Sequence, residues 1–264
     1  MCPPDGDSPL FGSLLLGAAL LSGCKSAPNP TTSGVQIAAA SDLSLVFEEM
    51  GKLYEARTGE HVTFSFGASG ALAKQLGQGA PFDLFAAASA TFVDSAVKSG
   101  ACDAATKAGY ARGHVVAWTK KGGLALRSLA DLRSAQVKHI AIASPEHAPY
   151  GMAAKEALTR AGLWTELAPK IVQADSVRQA LQFAQTGNAD VALVARSLIV
   201  HDDSGVVLDV SPQLHSPIEQ TLVVCRRGQN PAGGQRFAAL VTSPEGQRLL
   251  ARYGFGKSLE QVVK

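Results

Sequence analysis

The 264 residues carry no block of Lys and Arg large enough to cover a face. The 24 basic and 22 acidic side chains are spread along the chain for a formal net charge of +2, which gives no reason to expect a nucleic-acid partner. The six histidines, at 61, 114, 139, 147, 201 and 215, never fall at zinc-site spacing. A Gly-x-Ser-x-Gly elbow, a P-loop and a dinucleotide fingerprint are all absent. Ser95-Ala96-Val97-Lys98 has the Ser-x-x-Lys form of serine acyl enzymes, but its companion motifs are missing and the stretch reads as a surface helix. Charge is sparse at 17% against 46% hydrophobic residues, a balance that supports an ample core and argues against disorder beyond the N-terminus.

The N-terminal segment stands apart. Its apolar run, "LFGSLLLGAALLSGC", has the length of a signal-peptide core and is short for a membrane span. The run ends in Leu21-Ser22-Gly23-Cys24, which resembles a bacterial lipobox. That resemblance implies a signal peptide over 1–23, acylation of Cys24, and a protein exported to the periplasmic or cell-envelope side and held to a membrane by lipid. The leading "MCPPDGDSP" departs from the pattern, with two Asp and no Lys or Arg where positive charge is expected. A free secreted chain with a coincidental Cys is the alternative. Residues 24–34, rich in Pro, Ser and Thr, read as a flexible tether. Beyond it only Cys102 and Cys225 remain, either as one disulfide in an oxidising compartment or as two buried small hydrophobes.

From Val35 onward short apolar runs alternate with helical patterns, the rhythm of βα units and a mainly parallel sheet. Strands are expected at 35–40, 61–66 and 82–88, with helices from Leu43 to Gly59, at 69–78 and at 90–99. The rhythm restarts with strands at 138–143, 170–173 and 190–194 and helices at 150–161 and 176–186. Two stretches, "GHVVAWTK" at 113–120 and "IEQTLVVCRR" at 218–227, are β-rich without a following helix and suit crossovers between two lobes. The tail from Pro231 to Phe255 reads as helix broken at Pro244.

Ligands of open α/β sheets bind beyond the carboxyl ends of strands, where helices begin. Four such junctions are legible: "AAASDL" at 38–43, "FGASGALA" at 66–73, "SPEHAPYG" at 144–151 and "ADSVRQAL" at 174–181. Each offers small or hydroxyl residues and the unpaired N–H groups of a helix start, which suit an anion. At roughly half a positive charge each, four starts would offset about two negative charges without any Lys or Arg. Ordinary capping by Ser41, Ser69, and Asp175 or Ser176 is the competing reading. Glu146 and His147 could form an acid/base pair, but no nucleophile is placed near them.

"AAASDL", "SFGASGALAKQLGQGAPFDLFAAAS", "PEHAPYGMAAKEAL" and "DSVRQAL" together resemble the periplasmic molybdate-binding proteins, the substrate-binding components of molybdate ABC importers. The resemblance runs from Val35 to Phe255. It implies an α/β, two-lobed type II periplasmic-binding-protein fold, each lobe a mainly parallel sheet flanked by helices, joined by two hinge strands. The lobes are expected at 35–117 plus 222–264 and at 118–221. It also implies a binding protein and not an enzyme, without cofactor, monomeric, partnered by a permease, and capturing molybdate and tungstate with no direct ligand to the metal. Ser41 and Ser69 would bind the oxyanion through hydroxyl and N–H, and Tyr150 and Val177 through backbone N–H. Asp42, Gly70 and Ala195 are neighbours of this site. A family tyrosine that closes the site falls at Ala195, so the Tyr150 hydroxyl is expected to replace it. Asp42 is expected to point away from the cleft, Arg178 to be solvated, and Glu146 and His147 to form a turn. A binding protein for another small anion, or a membrane-tethered sensor of the same fold, are the alternatives.

Overall fold

The computed structural model describes residues 34–259. The expected signal peptide, Cys24 and all of the tether but Gly34 lie outside the described residues. In chain order the elements are β1 (Val35–Ala40), α1 (Ser44–Thr58), β2 (Val62–Gly67), α2 (Ser69–Gly77), β3 (Leu84–Ala87), α3 (Ala90–Lys98), β4 (Ala108–Gly113) and β5 (Val115–Lys120). They continue with β6 (Ile140–Ala143), α4 (Pro149–Arg160), α5 (Trp164–Leu167), β7 (Ile171–Ala174), α6 (Val177–Gln185), β8 (Val191–Ala195) and β9 (Gly205–Asp209). The chain then forms β10 (Ile218–Val224), α7 (Pro231–Thr242) and α8 (Pro244–Arg252). No helix of the described residues is long and apolar enough to cross a membrane.

Two five-stranded sheets result, ordered β2-β1-β3-β10-β4 and β7-β6-β8-β5-β9. Each has the same plan. Three parallel strands, the inner two of each set nearly continuous buried runs, are followed by one strand antiparallel to its neighbours: β10 in the first sheet and β5 in the second. Where the sequence rhythm was strong, the elements match it to within about two residues. Gly59, in the left-handed conformation at φ 71, ends α1 as expected.

The lobe boundaries shift from those expected. Breaks after 117 and after 221 would cut β5 and β10 in mid-ladder, yet Val115 to Thr119 all pair with β8, and Ile218 to Leu222 all pair with β4. A strand that changed sheets midway would leave its remaining N–H and C=O groups unpaired. The chain therefore changes sheets at His114 and again between Asp209 and Ile218. Two strands, β4 and β9, have no counterpart in the sequence reading. β4 (AGYARG) holds two glycines and an arginine, and β9 is an edge strand with exposed valines, so neither shows clean alternation.

The C-terminal helices return to the first sheet. Phe237 of α7 packs edge-on against Phe47 of α1 with ring centroids 5.4 Å apart, and Arg57 meets Glu245 at 2.6 Å. Buried Asp83 ties the same region, accepting hydrogen bonds from Gln36 N at 2.7 Å and Asn230 N at 2.6 Å. Cys102 and Cys225 form a disulfide across a sequence separation of 123, which decides between the two alternatives for this pair.

Candidate functional site

The four helix starts read from the sequence converge. Ser41, Asp42, Ser69, Tyr150 and Val177, together with alanine, glycine and proline residues of the strand ends and helix starts, line one small cavity. Small residues dominate its wall, so helix N–H groups approach the space closely. Gly151 illustrates the fit, because a Cβ there would stand 2.1 Å from the Ala143 carbonyl oxygen, and only glycine lets α4 start this close to the end of β6. No Arg, Lys or His is among the described residues lining the cavity. Neutral donors and helix dipoles are its only positive elements.

The capping alternative fails for two of the serines and holds for the third. α2 is preceded by Ala68, which makes no side-chain cap, and Ser69 is the first helical residue. Its buried hydroxyl accepts from Ala88 N at 3.1 Å, which leaves the hydroxyl proton to donate. Ser41 likewise opens the 3-10 turn Ser41–Leu43 after Ala40, again without a side-chain cap. Ser176, by contrast, caps α6 by accepting from Gln179 N at 3.2 Å, while Gln179 Oε1 accepts from Asp175 N at 2.5 Å. Tyr150 and Val177 stand at the second and first positions of α4 and α6, where a backbone N–H has no intrahelical acceptor.

Asp42 does not point away. It is 1% exposed, its Oδ2 accepts from Gln220 Nε2 at 2.6 Å, and the Tyr150 phenol faces the same carboxylate. Oδ1 is left without a well-formed hydrogen bond among the described residues. Burial is the largest influence on this carboxyl and lifts it from 3.8 to about 7, against the opposing pull of the Tyr150 and Gln220 hydrogen bonds. Burial also raises the phenols of Tyr150 and Tyr110 well above 10, with the Asp42 charge adding to it, so both remain neutral donors.

The contacts of the Tyr150 hydroxyl differ from those expected. It reaches Asp42 and Gln220, and a Cβ on Gly113 would lie 2.1 Å from it, so the phenol spans from α4 to the end of β4 where the chain changes sheets. Ala195 is buried opposite Val115 in the β8–β5 ladder and is not among the lining residues. Gly70 also stands outside the lining, its N–H donating to His147 O at 2.9 Å and joining α2 to the turn before α4. A second tie between the two sheets' elements runs from Ser197 Oγ to Asp42 O at 2.7 Å.

The remaining candidates are peripheral. Glu146 and His147 are exposed, 3.8 Å apart, on a turn in which Ala148 N bonds Ser144 O at 2.9 Å. Arg178 is exposed on an outer groove shared with Ser44 and Gln182. Ser95 donates to Thr91 O at 3.1 Å on the exposed side of α3, with no acyl-transfer partner in its contacts. Gln220 and Ser197 were missed by sequence reasoning. Gln220, a fully buried amide inside the apolar run "IEQTLVV", was the one visible signal.

Residues 35–256 match the family model described as bacterial extracellular solute-binding protein. The molybdate-binding protein ModA of Rhodobacter capsulatus is 34% identical, with 92% of this chain and 93% of the relative covered. ModA of Azotobacter vinelandii is 33% identical, with 91% and 95% covered. Among solved structures, the Azotobacter vinelandii periplasmic molybdate-binding protein superposes with a TM-score of 0.79 at 27% identity, covering 84% of this chain and 98% of that one. With two similar α/β layers meeting at one cation-free cavity, and relatives of this identity along nearly its whole length, the chain belongs to the bacterial extracellular solute-binding proteins and, within them, to the family of the molybdate-binding proteins.

Proposed function

We propose that the chain captures molybdate, and tungstate with it, outside the cytoplasm and presents it to the permease of an ABC importer. The observation that carries this reading is the pair Ser41 and Ser69: buried serines at helix starts where neither serves as the cap, facing a cavity with no cationic side chain. Their hydroxyls and N–H groups, with the N–H groups of Tyr150 and Val177, form a set of neutral donors suited to a tetrahedral dianion. The two layers open to admit the ion and close around it, and His114 with the 210–217 connection serves as the hinge. A smaller oxyanion cannot reach all of the fixed donors at once and leaves some of them buried and unpaired, which sets the selectivity.

A thermal-shift panel of molybdate, tungstate, sulfate and phosphate tests the reading. At a hundred times its dissociation constant a true ligand adds about 2.7 kcal/mol of stability. A shift with molybdate and tungstate alone is the expected result, and a shift only with sulfate or phosphate would reassign the ligand. The chain is held to the membrane by lipid on Cys24, a reading supported by Leu21-Ser22-Gly23-Cys24. Cys24→Ala should move it from the membrane fraction to the soluble one, and unchanged partitioning would refute the anchor.

A further inference from the structure

Asp42 is an unusual neighbour for an anion. It follows Ser41 directly, lines the same cavity, and is almost wholly buried with one carboxylate oxygen lacking a well-formed bond among the described residues. The groups facing it carry no positive charge. They are Gln220 from β10, Tyr110 from β4, Tyr150 from α4, and Ser197, which holds the Asp42 carbonyl. The charged groups on the other elements around it are engaged elsewhere or face solvent. On α1, Glu48 is exposed and Glu49 is held by Arg252 and Tyr253. On α6, Arg178 is exposed, and in the turn after β8 Arg196 pairs with Asp209. At the crossover, Arg112 bonds Glu219 at 2.9 Å, and burial together with the charges of Arg196, Arg112 and His215 lowers the pKa of His114, which favours its neutral form.

A dianion and an ionised carboxylate in one cavity without a cationic side chain repel strongly, and a proton on the carboxyl removes that repulsion. We propose that oxyanion capture at this site is proton-coupled: each dianion is bound together with one proton taken from solvent and held on the Asp42 carboxyl, which makes Asp42 a positioning residue that sets the pH dependence of affinity. The inference rests on the anion-binding reading above. The step is a simple protonation: the carboxylate gains H⁺ from water or buffer, no bond between heavy atoms forms or breaks, and the complex carries one negative charge less than its parts. Burial already lifts this carboxyl to about 7 before any ligand arrives, so its ionised form predominates only in mildly alkaline solution. Below that range the carboxyl is already protonated and affinity is flat. Above it, affinity falls by up to tenfold per pH unit, because the proton must be acquired on binding.

The test is titration calorimetry of the full chain with sodium molybdate from pH 6 to 9, repeated in buffers of different ionisation enthalpy to count protons. The expected result is close to one proton taken up per molybdate near pH 8.5 and little uptake at pH 6. Asp42→Asn should keep binding, lose the uptake and flatten the pH profile. Tyr150→Phe removes a donor that favours the ionised carboxylate, so its loss of affinity should begin at higher pH than in the wild type. Molybdate binding without proton uptake at pH 8.5 overturns this inference and leaves the anion-binding reading standing. Absence of molybdate binding at every pH overturns both. Should Asp42→Asn fail to fold, the proton count on the wild-type chain alone still decides.

Discussion

The two α/β layers repeat one plan, three parallel strands and an antiparallel fourth, yet they meet the cavity with different chemistry. The first layer places serines inside the helix start, so hydroxyl and N–H can both serve a ligand. The second offers backbone alone, because its own serine, Ser176, is spent on the cap. The layers also differ in how they are held. The first is stapled by Cys102–Cys225 and tied down by Asp83 and the C-terminal helices, whereas the second has no disulfide among the described residues and is tied by Asp190, whose carboxylate accepts from Lys138 N and His139 N. Similar topology thus leaves the division of labour to single residues at the strand ends.

The largest expected effect separates the layers by stability. Reducing Cys102–Cys225 should cost about 2–5 kcal/mol, given the long loop it closes. Hydrogen exchange should then show protection lost mainly in β3 and β10, with β6 to β8 retained; equal loss in both layers would mean that they unfold as one unit. Next come the hydroxyls. Ser41→Ala or Ser69→Ala should each cost about 1.5–3 kcal/mol of molybdate affinity, roughly ten- to a hundredfold, since the lost bond is to a charged ligand. Affinity unchanged in both would erase the chemical distinction between the layers. The smallest effect is the counterpart in the second layer: Ser176→Ala should cost about 1 kcal/mol of stability through the lost cap and leave affinity within about twofold. A large loss of binding by Ser176→Ala, measured by the same titration, would make the two layers alike after all.

Much of this was legible in the sequence. The alternation of apolar runs with 3.6-residue periodicity located every strand of the two parallel triplets, and the small residues at 38–43, 66–73 and 144–151 marked the strand ends. What escaped was set by contacts remote in sequence. β4 and β9 are stabilised by their partners more than by their own patterns. Asp42, expected to point away from the cleft, is instead buried in its lining, where Gln220, 178 residues away, supplies a hydrogen bond. The Tyr150 hydroxyl is drawn to that same carboxylate, so what α4 offers the cavity is an N–H group, a role any residue but proline could fill.

By itself the sequence determined the α/β class, the repeated layer plan, the family resemblance and the four helix starts, because periodicity and turn chemistry act over a few residues. Only the tertiary structure decided where the chain changes sheets, that the two cysteines bond, which serines cap and which face the cavity, and that a carboxylate lies buried in the lining of that cavity. Those outcomes depend on which distant groups share a low-dielectric space, and hydrogen-bond geometry and desolvation there are properties of the assembled fold.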